Sequence, residues 1–323
     1  MPQLKQKNKK KFDVLVAGEL NIDLILNDIE SFPEIGKEKL ANDMTFTLGS
    51  SSAICACNLS SLGANVSFLG KVGKDYFGEY IIEILRKKNV NIDNIMVDSD
   101  VNTGATIVLN IQDDRAMVTY PGAMGNLSSG DIKKVILKQA KHLHFSSYYL
   151  QPKMKDGIKD MFKLAKELKL TTSFDMQWDP EEKWDFDYMN VLPFVDIFLP
   201  NEQELLCLTK QSNILKALEK ISSSVNNVVV KMGSKGSLLY YGGKSVKKKS
   251  FINKSVVDAI GAGDSFNAGF IFKFINGAEL EECQEFGNLM GAINTTRSGG
   301  TTAFTNYKEI MKIAQTTFGY KIK

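Results

Sequence analysis

The sequence predicts an α/β fold in which a mostly parallel sheet is covered by helices on both faces. Short apolar runs of the kind found in buried strands recur along the chain, and the first of them, residues 12–18 (FDVLVAG), ends in a glycine. Segments with helical periodicity lie between many of these runs, and alternation of strand and helix is typical of parallel sheets. The strand patterns are residues 12–18, 66–69, 106–111, 142–145, 172–174, 197–199 and 228–230, and the helical patterns are residues 75–88, 153–168, 214–221 and 279–296.

Two regions interrupt this alternation. Residues 22–48 and 103–120 carry strand patterns with no helix between them, which indicates paired β-structure outside the main sheet. We therefore expect a small β-sheet lid, contributed by about residues 22–48 and 103–122. Since no repeat or low-complexity linker divides the chain, a single domain over residues 12–317 is expected, preceded by a basic flexible tail at residues 1–11.

The composition restricts the chemistry. The 323 residues carry a formal net charge of +3, with 43% hydrophobic and 24% charged residues, ordinary values for a folded protein. Only three of the 40 cationic residues are Arg, and there are only two His, so Arg clusters and multi-His sites are nearly excluded. An anionic ligand must then be bound by Lys, a metal or backbone amides.

The same counts limit the partners and the compartment. The four cysteines are too scattered for a disulfide framework and are predicted to be buried thiols, which fits the cytoplasm. No run approaches the ~18 apolar residues of a membrane span. Two triple-lysine runs, residues 9–11 and 247–249, lack interleaved aromatics and are predicted to be solvated. Neither nucleic acid nor a membrane is an expected partner.

The segment at residues 258–270 (DAIGAGDSFNAGF) is the most informative part of the chain. Gly261 and Gly263 allow a ligand to approach the backbone, and Asp264 is predicted to open an amphipathic helix. Amides at a helix N-terminus bind anions without Arg. An aspartate within such an anion site suits a general base that accepts a proton from a hydroxyl beside a phosphoryl group. Taken alone, however, a Gly-x-Gly-Asp sequence is more often a capped turn. The helix pattern carries phenylalanines four residues apart, at Phe266, Phe270 and Phe274.

The complete segment resembles the C-terminal signature of the ribokinase-like PfkB family of carbohydrate kinases. Residues 258–264 match it almost position for position, and the resemblance extends over about residues 12–307. It implies a ribokinase-like central sheet flanked by helices with a small β-sheet lid. It also implies that Asp264 is the catalytic base and that the amides of Gly261, Ala262 and Gly263 bind the transferred phosphoryl group. ATP and Mg²⁺ are the implied cofactors.

Further motifs follow in the family's order. The sequence NEQE at residues 201–204 resembles the Asn-x-x-Glu motif, which implies that Glu204 holds Mg²⁺ or a metal-bound water, although a helix-capping acid is the simpler interpretation of the residue alone. The family also implies activation by a monovalent cation such as K⁺ at the loop of Asp258. The residues that the resemblance implies for nucleotide binding are Asn201, Lys231, Gly233, Gly236 and Asn288.

On the substrate side, the sequence GELNID at residues 18–23 is similar to the family's sugar-binding start, where the residue matching Asp23 binds hydroxyls. The N-terminal signature departs from the family: Ser50 replaces a glycine, and Ile54 stands where an asparagine commonly contacts the sugar. Either serine hydroxyls replace that amide, or an apolar patch faces a deoxy or ring carbon. Trp178 is predicted to pack in its loop or to stack on the sugar. The expected substrate-binding residues are Asn21, Asp23, Gly49, Ser50 and Asp175.

Together these features predict an ATP-dependent kinase that phosphorylates a primary hydroxyl of a small sugar or polyol, with a ketohexose or related sugar favoured. The near-neutral charge and the scarcity of Arg favour a neutral substrate. A nucleoside kinase is the alternative, and a catalytically silent sugar-binding regulator is a weaker one. The open edges of the lid favour a homodimer.

Overall fold

The structure is a computed structural model that describes residues 10–111 and 114–321, so the tail expected at residues 1–11 lies outside it except for Lys10 and Lys11. The strands are β1 (Phe12–Ala17), β2 (Asn21–Asn27), β3 (Asp43–Leu48), β4 (Val66–Gly73), β5 (Asn91–Asp98), β6 (Gly104–Ile111), β7 (Asp114–Tyr120), β8 (Ala140–Ser146), β9 (Thr171–Asp175), β10 (Ile197–Phe198), β11 (Asn227–Lys231), β12 (Ser237–Tyr241) and β13 (Lys244–Lys248). The helices are α1 (Ser51–Ser61), α2 (Tyr76–Lys87), α3 (Lys134–Leu137), α4 (Ile158–Glu167), α5 (Tyr188–Val191), α6 (Glu202–Thr209), α7 (Ile214–Ile221), α8 (Ala262–Ile275), α9 (Leu280–Asn294) and α10 (Tyr307–Phe318).

Nine strands form the main sheet, in the order β13-β12-β11-β10-β9-β8-β1-β4-β5. All pairs from β11 to β5 are parallel, and β12 and β13 add an antiparallel hairpin at one edge. The predicted α/β class with a mostly parallel sheet is confirmed. Because the carboxyl ends of β1, β8, β9, β10 and β11 lie at the same edge, the loops that follow these strands can meet in one site.

The sheet separates two hydrophobic cores. Leu15 and Ala17 of β1 belong to one core, with α4, α6 and α7, whereas Val14 and Val16 belong to the other, with α1, α2 and α8. Successive side chains of a strand point to opposite faces. A strand covered by helices on both faces is therefore apolar throughout, which explains the continuous apolar runs of the sequence.

The lid is a separate four-stranded sheet with the order β3-β2-β6-β7. Its central pair, β2 and β6, is parallel, and the two outer pairs are antiparallel. The paired β-structure predicted outside the main sheet is confirmed. The register places Asp23, Thr106 and Thr119 on one face of the lid and Val118 on the other.

Two helix predictions need correction. The helix expected from residue 153 begins at Ile158, because Pro152–Met154 forms a 3₁₀ turn before it. Helix α8 begins at Ala262, so Asp264 is its third residue rather than its first. Nor is α8 amphipathic: residues 264–271 are all buried, because α1 and α9 pack against it as well as the sheet. Among the described residues, no helix is both long enough and apolar enough to span a membrane.

Candidate active site

A cleft of about 1270 Å³ lies between the lid and the carboxyl ends of the main-sheet strands. Most of the predicted site residues meet there, although they are spread over more than 260 positions of the chain. Gly49, Asp175 and Asp258 are not among the lining residues. The predicted residues that line the cleft are Asn21, Asp23, Ser50, Asn201, Glu204, Lys231, Gly233, Gly236, Gly261, Ala262, Gly263, Asp264 and Asn288.

Asp264 lies in the first turn of α8, with only 7% of its surface exposed. The side-chain amide of Gln177 donates a hydrogen bond to its Oδ1 at 3.3 Å. Burial, reinforced by the charge of Asp175, raises the pKa of Asp264 to about 7, while the charge of Lys231 acts in the opposite direction. A carboxylate with a pKa near 7 can accept and release a proton at neutral pH, as general base catalysis requires.

A buried ion pair supports the floor of the cleft. Lys231 Nζ lies 2.5 Å from Asp175 Oδ2, and Asn267 donates to the same oxygen. Asp175 is fully buried and is not among the residues that line the cleft, and its carboxylate contacts Lys231, Asn267 and Gln177. Burial alone would lower the pKa of Lys231, but the charges of the surrounding carboxylates, led by Asp175, raise it above its ordinary value. These contacts show that Asp175 holds the lysine, and the role expected for Asp175 in substrate binding stays a prediction.

The N-terminus of α8 is where the sequence predicts the anion site. Gly261 has a φ of 75°, and a Cβ there would lie 2.7 Å from the Cα of Gly300, so only glycine fits. A Cβ at Gly263 would lie 3.7 Å from Lys231 Nζ, which places the ammonium group beside the helix N-terminus. The amide of Ala262 donates to the Ala259 carbonyl oxygen at 3.2 Å, so this amide is already used within the turn. The structure thus brings together two of the means of binding an anion that the sequence predicted, a lysine and the amides of a helix N-terminus.

Glu204 caps a helix and also lines the cleft, so its capping interpretation is confirmed and its metal-binding role stays a prediction. Its Oε2 accepts the amide of Asn201 at 2.7 Å, and its own amide donates to Asn201 Oδ1 at 2.8 Å, which forms a capping box at the start of α6. The carboxyl group also lines the cleft, where burial and then the charge of Asp175 raise its pKa. One carboxylate beside an anion site fits Mg²⁺, which proteins commonly bind through one or two carboxylates and the substrate's phosphates.

Asp258 connects two loops of the protein. Its carboxylate accepts the amides of Ile260 at 2.8 Å and Gly299 at 2.9 Å, so it ties the loop before α8 to the loop after α9. Among the described residues, no group of three or more His, Cys, Asp or Glu side chains could hold a metal ion. The role of Asp258 in cation binding stays a prediction.

One half of the cleft has the chemistry of a nucleotide site. Phe251, Ile252 and Ala292 give it apolar walls, and the buried Asn288 also lines it, with its side-chain amide donating to the Lys249 carbonyl oxygen at 3.4 Å. Gly236 also lines the cleft; it has a φ of 93°, and any Cβ there would overlap the carbonyl oxygen of Lys248. Apolar walls with one amide fit a planar heterocyclic base.

The other half lies under the lid and is polar. Asn21 donates to Asp23 Oδ1 at 3.0 Å and to Thr106 Oγ1 at 3.1 Å. Burial raises the pKa of Asp23 to about 7, against the effects of the Asn21 hydrogen bond and the charge of Arg115. Carboxylate, amide and hydroxyl groups in one wall are suited to binding the hydroxyls of a polyol.

The N-terminal signature shows which of the two open alternatives the structure favours. Ser50 adopts a φ of 67°, donates to the Glu19 carbonyl oxygen at 2.6 Å and caps α1 by accepting the amide of Ala53. Its hydroxyl is therefore occupied within the protein. Ile54 lines the cleft and packs against Gly261 and Gly300. An apolar patch beside the anion site is the alternative that these contacts favour.

Gly49 supports the polar wall without lining it. A Cβ at this position would lie 2.6 Å from Asn21 Nδ2 and would overlap Asp23 Oδ1. We expect Gly49→Ala to displace both side chains and to lower kcat/KM for the acceptor by on the order of 10²-fold, as misplacement of a positioning group by about 1 Å can do. Steady-state kinetics with each substrate varied would test this. The KM for ATP should change little, and an unchanged acceptor kcat/KM would contradict the prediction.

Sequence reasoning missed several residues that the structure places in or beneath the cleft. Glu19 is 1% exposed and accepts hydrogen bonds from the amide and hydroxyl of Ser52. Gln177 contacts two carboxylates, and Asn267 supports Asp175. Trp178 packs edge-on against Trp184, with ring centroids 5.0 Å apart, which agrees with packing in its loop. It is also 46% exposed and lines the cleft, and stacking on a sugar stays a prediction.

Comparison with known proteins agrees with this geometry. The model of the pfkB family of carbohydrate kinases matches residues 11–306. The chain belongs to this family. Like the family's other members, it is a phosphotransferase with an alcohol group as acceptor, and it acts on a sugar or a nucleoside.

Three relatives illustrate the range of the pfkB family. An uncharacterized sugar kinase of Archaeoglobus fulgidus is 29% identical over 72% of this chain and 92% of its own. An E. coli protein described as a candidate ribokinase II was solved with ATP and Mg²⁺; it is 26% identical, with a TM-score of 0.81 over 94% of this chain and 99% of its own. Adenosine kinase from Sinorhizobium meliloti is 25% identical, with a TM-score of 0.79 over 90% of this chain and 95% of its own.

Proposed function

We propose that this protein transfers the γ-phosphate of ATP to a primary hydroxyl of a small neutral sugar or polyol. The observation that carries the proposal is the position of Asp264. This buried carboxylate with a raised pKa lies at a helix N-terminus beside Lys231, and it lines the same cleft as the residues suited to a nucleotide and those suited to a polyol. A base, an anion site and an acceptor site thus meet in one cleft.

In the proposed reaction, Asp264 accepts the proton of the acceptor hydroxyl. At the same time the hydroxyl oxygen forms a bond to the γ-phosphorus of ATP, and the bond between this phosphorus and the ADP leaving group breaks. The amides of Gly261 and Gly263 and the ammonium of Lys231 stabilise the charge of the transferred group. Mg²⁺, when bound, neutralises phosphate charge, and Glu204 and Asn201 are the residues that we expect to hold it or its waters. The lid excludes water from the site and so limits hydrolysis of ATP.

The charges and shape of the acceptor half support a neutral substrate. Glu19 interacts electrostatically with both Asp23 and Asp264, and an anionic acceptor would add a further negative charge. Ile54 presents an apolar surface beside the anion site. A polyol with one less polar face fits this combination, and a ketohexose or related sugar is the member of that class that we favour.

A screen that measures ADP release tests the proposal. Ketoses, aldoses, deoxy sugars, inositols, sugar acids and sugar phosphates would each be supplied with ATP and Mg²⁺, with adenosine and inosine in a separate arm. We expect the largest kcat/KM for a neutral sugar. Turnover of a nucleoside alone would establish the alternative, which Ile54 and the likeness to an adenosine kinase support. Binding of a sugar by calorimetry, without turnover of any compound, would establish a silent regulator.

We also propose that residues 12–317 act as one domain that forms a homodimer through the lid. The support is apolar surface opposite the cleft: Met44, Val118 and Tyr120 are 60%, 69% and 51% exposed. Light scattering of the full chain tests this.

The four free cysteines suit the cytoplasm, where we place the protein. Activity compared in K⁺, Na⁺ and choline salts tests the cation role of Asp258.

A further inference from the structure

Gln177 joins the candidate base to the buried ion pair. Its Nε2 donates to Asp175 Oδ2 at 3.0 Å and to Asp264 Oδ1 at 3.3 Å, and its backbone amide lies 3.3 Å from Asp175 Oδ1. A side-chain amide carries two N–H donors, so one group can serve both carboxylates. It does so without adding a charge to a site that already holds several.

The backbone holds Gln177 in an unfavourable conformation to make these contacts. Its φ is 61°, in the left-handed region that favours glycine. The loop that follows is fixed by Asp179, which is 3% exposed and accepts the amides of Glu181 at 3.0 Å and Trp184 at 2.7 Å. Strained residues persist where the surrounding structure fixes them, and they are frequent at functional sites.

We propose that Gln177 is a positioning residue for phosphoryl transfer, which holds Asp264 Oδ1 so that the carboxylate is aimed at the acceptor hydroxyl and kept ionised. The proposal rests on the proposed function, in which Asp264 is the base. A hydrogen bond to the charged form of a carboxyl group stabilises that form. Without the Gln177 donor, Asp264 would still be repelled by the neighbouring carboxylates, and it would lose one of the hydrogen-bond donors that stabilise its ionised form.

The surroundings of Asp264 explain why an uncharged donor is needed. Burial and the nearby carboxylates favour its protonated form, and only Lys231 and the hydrogen-bond donors favour the ionised form. Lys231 is itself engaged by Asp175. The titratable, charged or hydrogen-bonding groups that face Asp264 are Glu19 after β1, Ser51 and Cys55 of α1, Asp175 and Gln177 at the end of β9, Glu204 of α6 and Lys231 of β11.

The test replaces Gln177 with Met, which has a similar length and no donor. We expect kcat to fall by about tenfold, the KM values for ATP and acceptor to stay within about threefold, and the acid limb of the kcat–pH profile to move up by about one pH unit, because one lost charge-assisted hydrogen bond has about this effect. Gln315→Met, on the exposed face of α10, is the matched control. Thermal melting reports whether each variant is folded.

Gln177→Glu provides a second, nearly isosteric variant if the Met variant does not fold. It places a third carboxyl group beside Asp175 and Asp264, and we expect a larger upward shift of the acid limb. An unchanged profile, or a lower kcat with the acid limb unmoved, would overturn the proposal, because a merely structural role gives the latter. Loss of the Asp264 role itself would be seen separately, as full activity of Asp264→Asn.

Discussion

Replacing Asp264 with Asn is expected to lower kcat by at least ~10²-fold, the scale of a lost general base. Asparagine keeps the shape of the side chain and can still contact Gln177 across the 3.3 Å separation, but it cannot accept the proton of the acceptor hydroxyl. The change removes a carboxyl group whose burial is unfavourable, so stability should not fall. ADP release under saturating ATP and acceptor measures the effect, and calorimetry measures whether both substrates still bind.

The pH dependence of the unmodified enzyme provides a second measure of the same residue. The pKa of Asp264 is about 7 because of burial and the charge of Asp175, and a base acts only when it is deprotonated. We therefore expect kcat to fall as the pH drops below about 7. Asp160→Asn, an exposed change in α4, is the matched control. Near wild-type turnover by Asp264→Asn would exclude Asp264 as the base.

Much of the fold could be predicted because its signals are local. Strands buried on both faces leave continuous apolar runs, and β1 shows why: Val14 and Leu15 lie in different cores although they are adjacent in sequence. Helix α8 shows where prediction from local patterns fails. Its polar residues are buried because they find distant partners, as Ser265 does with Asn58 and Asn294. No local pattern reveals such partners, so the sequence indicated an exposed face that does not exist.

The residues of the candidate site likewise fall into those that the sequence could predict and those that it could not. Residues of the glycine-rich segment and of the Asn-x-x-Glu motif could be located because family motifs mark them, and the cleft contains Asp264 and Glu204. The position of Asp175 in the sequence did not show that its carboxylate pairs with a lysine 56 residues away. Gln177 carried no signal at all. Its importance depends on a left-handed backbone and on two carboxylates from different elements, which only the three-dimensional structure brings together.

Breaking the buried ion pair of Lys231 and Asp175 is the second change for which we expect a large effect, here on the free energy of unfolding. In Lys231→Met the carboxylate of Asp175, which is fully buried, would lose its only neighbouring cation among the described contacts and keep only the donors of Asn267 and Gln177. Removing one partner of a buried ion pair costs about 3–5 kcal/mol, a large part of a typical unfolding free energy of ~5–15 kcal/mol. Urea unfolding, followed by circular dichroism, measures the loss.

The double variant Asp175→Asn/Lys231→Met separates the two contributions of the lysine. Since it leaves no buried charge at the pair, we expect it to recover most of the unfolding free energy that Lys231→Met loses. It should not recover activity, because the ammonium beside the N-terminus of α8 is still absent. We expect the KM for ATP to be higher than that of the unmodified enzyme in both the single and the double variant. Recovery of both would show that Lys231 serves the fold alone. Equal instability of the single and double variants would show instead that the lysine's packing, rather than its charge, stabilises the floor of the cleft.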